Sequence, residues 1–140
     1  MPEELLTYSQ QDLKGLDSLM HELAETSGCD EGILKAAIQD ENAHVLVIRD
    51  GGHIVATATL CVKHTPEFRS AEIESVVVSS SCRGKGYGRE LVSALIEKAE
   101  ELKVHHIKLT SNPARVAANK LYQQLGFERY ETNCYMKNIS

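Results

Sequence analysis

The chain has 140 residues, with 15 Lys/Arg against 20 Asp/Glu, a formal charge of −5, and 42% hydrophobic and 25% charged residues. This length fits a single domain, 1–140, able to bury roughly two-thirds of its unfolded surface, and no apolar run approaches the roughly 20 residues of a membrane span. The acidic balance argues against a nucleic-acid partner, which would call for a basic stripe. Met1–Leu6 shows no basic region followed by an apolar stretch, so a cytoplasmic protein without a membrane partner is expected.

Thr7–Ser9 reads as the end of a first short strand. Leu13, Leu16, Leu19, Met20 and Leu23 recur at helical spacing, with Ser9 as N-cap and Gly28 as a stop. Asp30 caps a second helix carrying Ile33, Leu34, Ala37 and Ile38. His44–Arg49 is a strand, Asp50-Gly51-Gly52 a hairpin turn, and Ile54–Val62 an alternating strand. Ala71–Ser79 is a further strand. Arg89–Leu102 is an amphipathic helix with Leu91, Val92, Leu95, Ile96, Ala99 and Leu102 on one face. Ile107–Thr110 is a strand, Ala114–Leu125 a helix stopped by Gly126, and Phe127–Tyr130 and Asn133–Lys137 two closing strands. Strands and helices alternate without a break, which defines a mixed α/β layered fold. Cys29, Cys61, Cys82 and Cys134 are scattered and form no ligand pairs, so four reduced thiols are expected. His105 and His106 read as a strand entry with rings on opposite faces, and no metal site is expected.

The most informative stretch is Val76-Val77-Val78-Ser79-Ser80-Ser81-Cys82-Arg83-Gly84-Lys85-Gly86-Tyr87-Gly88. An apolar strand runs into a glycine-rich bend, and a helix starts where the bend ends. Unpaired N–H groups and a partial positive charge gather at a helix N-terminus. Glycines let the backbone approach an anion, and Arg83, Lys85 and Arg89 add positive charge, so the segment reads as a diphosphate cradle. It fits neither GxxxxGK[ST] nor GxGxxG.

Arg83-Gly84-Lys85-Gly86-Tyr87-Gly88 resembles the [QR]xxGx[GA] signature of the GNAT superfamily of N-acetyltransferases. Ala118 with Leu121-Tyr122 and Gly126-Phe127 is similar to that superfamily's AxxLYxxxGF segment. The resemblance covers about residues 54–135. It implies a mixed, mostly antiparallel sheet of six to seven strands with about four helices, whose central parallel strands splay. It also implies that acetyl-CoA is the cosubstrate, that no metal is required, and that a homodimer forms through late strands. By the same resemblance, Val76, Val77 and Val78 would hold the pantetheine arm. The N–H groups of Arg83, Gly84, Lys85, Gly86, Tyr87, Gly88 and Arg89 would hold the diphosphate. Asn112 and Asn119, with Ala118 and Tyr122, would touch the cofactor's other side, while Arg115 departs from the superfamily's common asparagine and, as in a subset of similar proteins with arginine there, would reach a phosphate.

Acyl transfer from a thioester to an amine needs a base for the ammonium, a donor for the oxyanion and an acid for the thiolate. The expected roles are Glu74 as base with Glu72 second, the Val76 N–H as oxyanion donor and Tyr122 as acid. Glu72 and Glu74 alternate along their strand and share a face, where buried carboxylates need a role or a partner. The Glu74 strand resembles that of glucosamine-6-phosphate acetyltransferases, and the Thr110–Arg115 segment that of aminoalkylphosphonate acetyltransferases. Both point to a small-molecule amine acceptor. Glu22, Glu25, Asp30 and Glu31 would suit a cationic polyamine or aminoglycoside, or simply form a solvated face. Protein or peptide N-acetylation, and a non-catalytic acyl-CoA sensor, are the alternatives.

Overall fold

In the computed structural model, which describes Met1–Ser140, one sheet runs β1 (Glu3–Glu4), β2 (Ala43–Asp50), β3 (His53–His64), β4 (Arg69–Val78) and β5 (Ile107–Lys108), in that spatial order. The helices are α1 (Gln10–Leu23), α2 (Glu31–Gln39), α3 (Tyr87–Glu101) and α4 (Val116–Gln124). All neighbouring strands are antiparallel except β4 and β5. The fold is the mixed α/β one expected, with five strands rather than six to seven. The chain divides into two compact units, Met1–Thr110 and Ser111–Ser140.

The first unit is a three-layer stack set by strand alternation. Val45, Val47, Ile54 and Val77 join Leu16 and Leu19 of α1 and Leu34 of α2 in one buried cluster. Leu46 and Ile48 alternate with those valines and are buried on the other face of the sheet. Leu91, Val92, Leu95 and Ala99 of α3, which contacts β2, β3 and β4, are almost completely buried. The β2–β3 hairpin closes through Gly51 and Gly52, both at positive φ (60° and 83°), which the paired twist of a two-residue turn requires.

Local chemistry fixes the start of α1. Ser9 Oγ accepts from the Asp12 N–H, and the Ser9 N–H donates to Asp12 Oδ2, a reciprocal capping box at 3.1 Å each way. Asp12 is buried and also takes two bonds from Arg49 Nη1 and Nη2, at 2.7 and 3.1 Å, while Arg49 Nε donates to Glu3 at 2.7 Å. This fork ties helix, hairpin and first strand together. The first strand is therefore Glu3–Glu4 and not Thr7–Ser9, because Ser9 is consumed by the cap. Likewise α1 ends at Leu23, with Ala24 as its cap in extended conformation, before Gly28 is reached.

In the second unit, α4 ends in a Schellman turn. Gly126 takes φ 94°, its N–H donates to the Gln123 carbonyl at 3.1 Å, and the Phe127 N–H donates to the Tyr122 carbonyl at 3.0 Å. The Phe127 ring packs edge-on to Tyr122 with centroids 6.1 Å apart. Beyond it, Phe127–Tyr130 and Asn133–Lys137 form no strands, and residues 128–140 are all exposed. Those two expected strands are thus corrected. Neither segment has a ladder partner.

Candidate active site

The ladder between β4 and β5 is short. Only Ala71↔Ile107 and Glu72↔Lys108 are paired, and β4 then runs on to Val78. β5 ends at Lys108, so beyond Glu72 that side of β4 has no ladder. On its other side, β4 carries a bulge against β3. Thr59 faces Glu74 and Thr57 faces Val77, so Ala58 alone opposes both Ser75 and Val76. Ser75 takes φ 55°, a left-handed conformation that an L-residue adopts at a cost of about 1 kcal/mol. Such a bulge bends the strand and re-aims its main-chain groups. The alternation of the sequence hides it, since Glu72, Glu74 and Val76 look evenly spaced.

Beyond the bulge, Val77 is buried, and Val76 and Val78 are half-buried. The Ser79 N–H donates to the Val55 carbonyl at 2.7 Å, and Ser80–Cys82 form one turn of 3-10 helix with Cys82 buried. Next comes the glycine turn. Gly84 and Gly86 take φ 83° and 80°, and a Cβ on either would meet nothing within 4 Å. The main-chain N–H groups of Gly86, Tyr87 and Gly88 lie at the amino end of α3, where a helix supplies its own amides with no acceptor. The first bond of α3 is Glu90 N–H to Gly86 carbonyl at 3.1 Å. Exposed donors, open space and a helix amino end together make a cradle that fits an anionic diphosphate. Arg83 and Arg89 are exposed beside it, while Lys85 reaches Asp50 at 3.4 Å, which raises the lysine's pKa.

Glu72 and Glu74 do share a face, as alternation requires, but they are not the buried pair expected: Glu72 is half-buried and Glu74 exposed. Glu72 lies between Cys61 of β3 and Lys108 of β5, whereas Glu74 lies beyond the end of the β5 ladder. Their environments nonetheless separate them. Lys63 Nζ lies 2.5 Å from Glu72 and lowers that carboxyl's pKa. Partial desolvation, then the neighbouring Glu72 carboxylate, push the Glu74 pKa up. Two carboxyls split in this way provide one fixed charge and one group poised to take a proton.

In the second unit the phenol of Tyr122 is buried, which raises its pKa, although Arg115 opposes the shift. The Schellman turn explains why Leu-Tyr and Gly-Phe occur at that spacing: it locks the tyrosine. Asn119 Nδ2 donates to the carbonyls of Asn112 and Arg115, at 2.9 and 2.8 Å, and Asn112 Oδ1 accepts from the Ala114 N–H at 2.8 Å. These two asparagines build the entry of α4. Ala118 is half-buried and Arg115 exposed.

His105 and His106 precede β5, and both meet the same ring, Phe68, at 5.8 and 5.0 Å, instead of lying on opposite faces. No group of three or more His, Cys, Asp or Glu side chains is placed to hold a metal ion, and no helix is long and apolar enough to cross a membrane.

The sequence model of the acetyltransferase (GNAT) family matches residues 11–127, and the chain belongs to that family. Among curated proteins it is similar to YvbK of Bacillus subtilis (strain 168), an uncharacterized N-acetyltransferase. They are 32% identical over 76 residues, 54% of this chain and 48% of that one, so the match spans about half of the relative. Among solved structures, a protein of Agrobacterium tumefaciens str. C58 assigned as an acetyltransferase is 26% identical. It superposes with a TM-score of 0.83 over 99% of both chains. The glucosamine-6-phosphate N-acetyltransferase of Arabidopsis thaliana has a TM-score of 0.82 over 100% of this chain and 99% of that one. At 19% identity that likeness is one of fold.

Proposed function

We propose that this protein is an acetyl-CoA-dependent N-acetyltransferase that moves an acetyl group directly onto a primary amine of a small molecule. The observation that carries the reading is the glycine turn, with Gly84 and Gly86 at positive φ, leading into the amino end of α3. The strand leading into it is bulged, and its parallel neighbour has already ended. In this reading Val76, Val77 and Val78 hold the pantetheine arm, and the amides from Arg83 to Arg89 hold the diphosphate. Bound acetyl-CoA supplies an acyl group already activated as a thioester, so no metal is called for.

Glu74 takes the proton of the acceptor ammonium. Its raised pKa brings it closer to that task than an ordinary carboxylate, and the fixed Glu72–Lys63 pair keeps the second carboxylate out of the exchange. The bulge at Ser75 supports Val76 as the main-chain donor to the acyl oxygen. Tyr122, protonated at neutral pH, is the proposed acid for the sulfur. A small acceptor is supported by the fold shared with a glucosamine-6-phosphate N-acetyltransferase. A purely cationic acceptor drawn by the acids of the first two helices is less favoured, because Glu22, Asp30 and Glu31 are engaged. Asp30 caps α2, Glu31 accepts from the Tyr8 hydroxyl at 2.6 Å, and Glu22 accepts from a main-chain N–H.

The test is a thiol-release assay over amino-sugar phosphates, aminoalkylphosphonates, polyamines, aminoglycosides and peptide N-termini. Turnover with one of the phosphorylated or phosphonylated small amines is expected, and Glu74→Gln should lower it by about 10²–10⁴-fold while CoA affinity holds. CoA binding without turnover on any amine would favour a sensor. Turnover on peptides alone would move the acceptor to proteins.

A further inference from the structure

Glu22 sits in the last turn of α1, where a carboxylate faces the negative end of the helix dipole and is locally unfavourable by about 0.3–1 kcal/mol. Its compensation lies far along the chain. Glu22 Oε1 accepts from the main-chain N–H of Ser80 at 2.9 Å. Ser80 is the first residue of the 3-10 turn that feeds the glycine cradle. One residue earlier, the Ser79 N–H is held by the Val55 carbonyl, and two residues later Cys82 is buried. Downstream, the cradle is held by the Lys85–Asp50 pair at 3.4 Å and by the first bond of α3. The approach to the cradle is therefore fixed to the sheet at Ser79 and to α1 at Ser80.

The far end of this tether is rigid. Leu16 and Leu19 are buried against Val77, three residues before Ser80, with Met20 and Leu23 packed onto the same cluster. A carboxylate is an expensive choice for a tether beside a diphosphate site, since it repels the ligand. Its merit is a stronger bond to an N–H than a neutral acceptor makes.

We propose that Glu22 is a positioning residue for the diphosphate loop, transmitting the placement of α1 to the coenzyme cradle through the Ser80 amide. The inference rests on the acyl-CoA reading of that loop.

The experiment compares wild type, Glu22→Ala and Glu22→Gln by calorimetric titration with CoA and by amide hydrogen exchange at Ser80. Both substitutions remove a charge opposed to the helix dipole, which offsets part of the bond lost in Glu22→Ala, so its melting temperature should fall little and that of Glu22→Gln should not fall. Glu22→Ala is expected to bind CoA roughly three- to tenfold more weakly and to lose protection at Ser80, with kcat at saturating acetyl-CoA little changed. Glu22→Gln keeps an acceptor oxygen and drops the repulsion, so its affinity should equal or exceed wild type, with the difference shrinking at high salt. Equal affinity in wild type and Glu22→Ala, or Glu22→Gln as weak as Glu22→Ala, would overturn the tether alone. A wild type that binds no CoA, with Ser80 protected only when Glu22 is present, would overturn the acyl-CoA reading and the proposal with it.

Discussion

Residues 54–62 and the two segments within 127–137 are all expected to be strands, yet only the first is one. β3 lies between β2 and β4, each of its main-chain edges has a ladder, and one face is covered by α1 and α2. The later segment follows a Schellman turn and has no neighbouring strand. Tyr130, Tyr135, Met136 and Ile139 are 72–88% exposed there. Alternation reports which residues share a face. Whether the face is buried depends on a partner that the local sequence does not name.

This contrast is open to mutation. Leu60→Ala removes a fully buried side chain from β3 and should cost about 2–5 kcal/mol in denaturant unfolding; a cost below 1 kcal/mol would mean that the paired region is looser than described. Asp12→Ala should cost about 1.5–3 kcal/mol, because it breaks both the capping box and the fork from Arg49. Hydrogen bonding from Arg49 lowers the Asp12 pKa, so its contribution is complete above the ordinary carboxylate range. It is lost as pH falls through the depressed value. The gap in stability between wild type and Asp12→Ala should therefore close in acid. Gly84→Ala should cost about 1 kcal/mol from φ alone, since space for the methyl is open. Tyr135→Ser should shift stability by less than about 0.5 kcal/mol; a larger loss would show that the tail has a partner in solution.

Glu74 offers a finer test. Its carboxyl pKa is raised, so its charged form is disfavoured in the folded state. Glu74→Gln should raise the melting temperature at neutral pH, and the gain should vanish below the ordinary carboxylate pKa. Loss of activity with a gain in stability is the signature of a group held for chemistry. An unchanged or lower melting temperature would argue that Glu74 is a structural ion-pair member.

Much of the site was legible because its chemistry is local. The glycines at 84 and 86, the helix that follows and the Leu-Tyr…Gly-Phe spacing each encode a backbone conformation within a few residues. The long helices and the hairpin turn were legible for the same reason. What escaped was non-local. The bulge at Ser75 exists only relative to β3, and a non-glycine residue gives no cue to positive φ. The burial of Glu72 and Glu74 was misjudged because sharing a strand face does not say whether that face is covered. Likewise, the bond from Ser80 to Glu22 joins residues 58 apart in sequence, a pairing no periodicity reveals.

The central claim is that the amides of the glycine turn grip the coenzyme's diphosphate. Titrating ¹⁵N-labelled protein with CoA while following individual amide resonances tests it directly. The account predicts large, saturable shifts at Gly84, Gly86 and Gly88, and small ones in the tail beyond Phe127. Unmoved glycine amides at millimolar CoA, or shifts concentrated elsewhere, would contradict it.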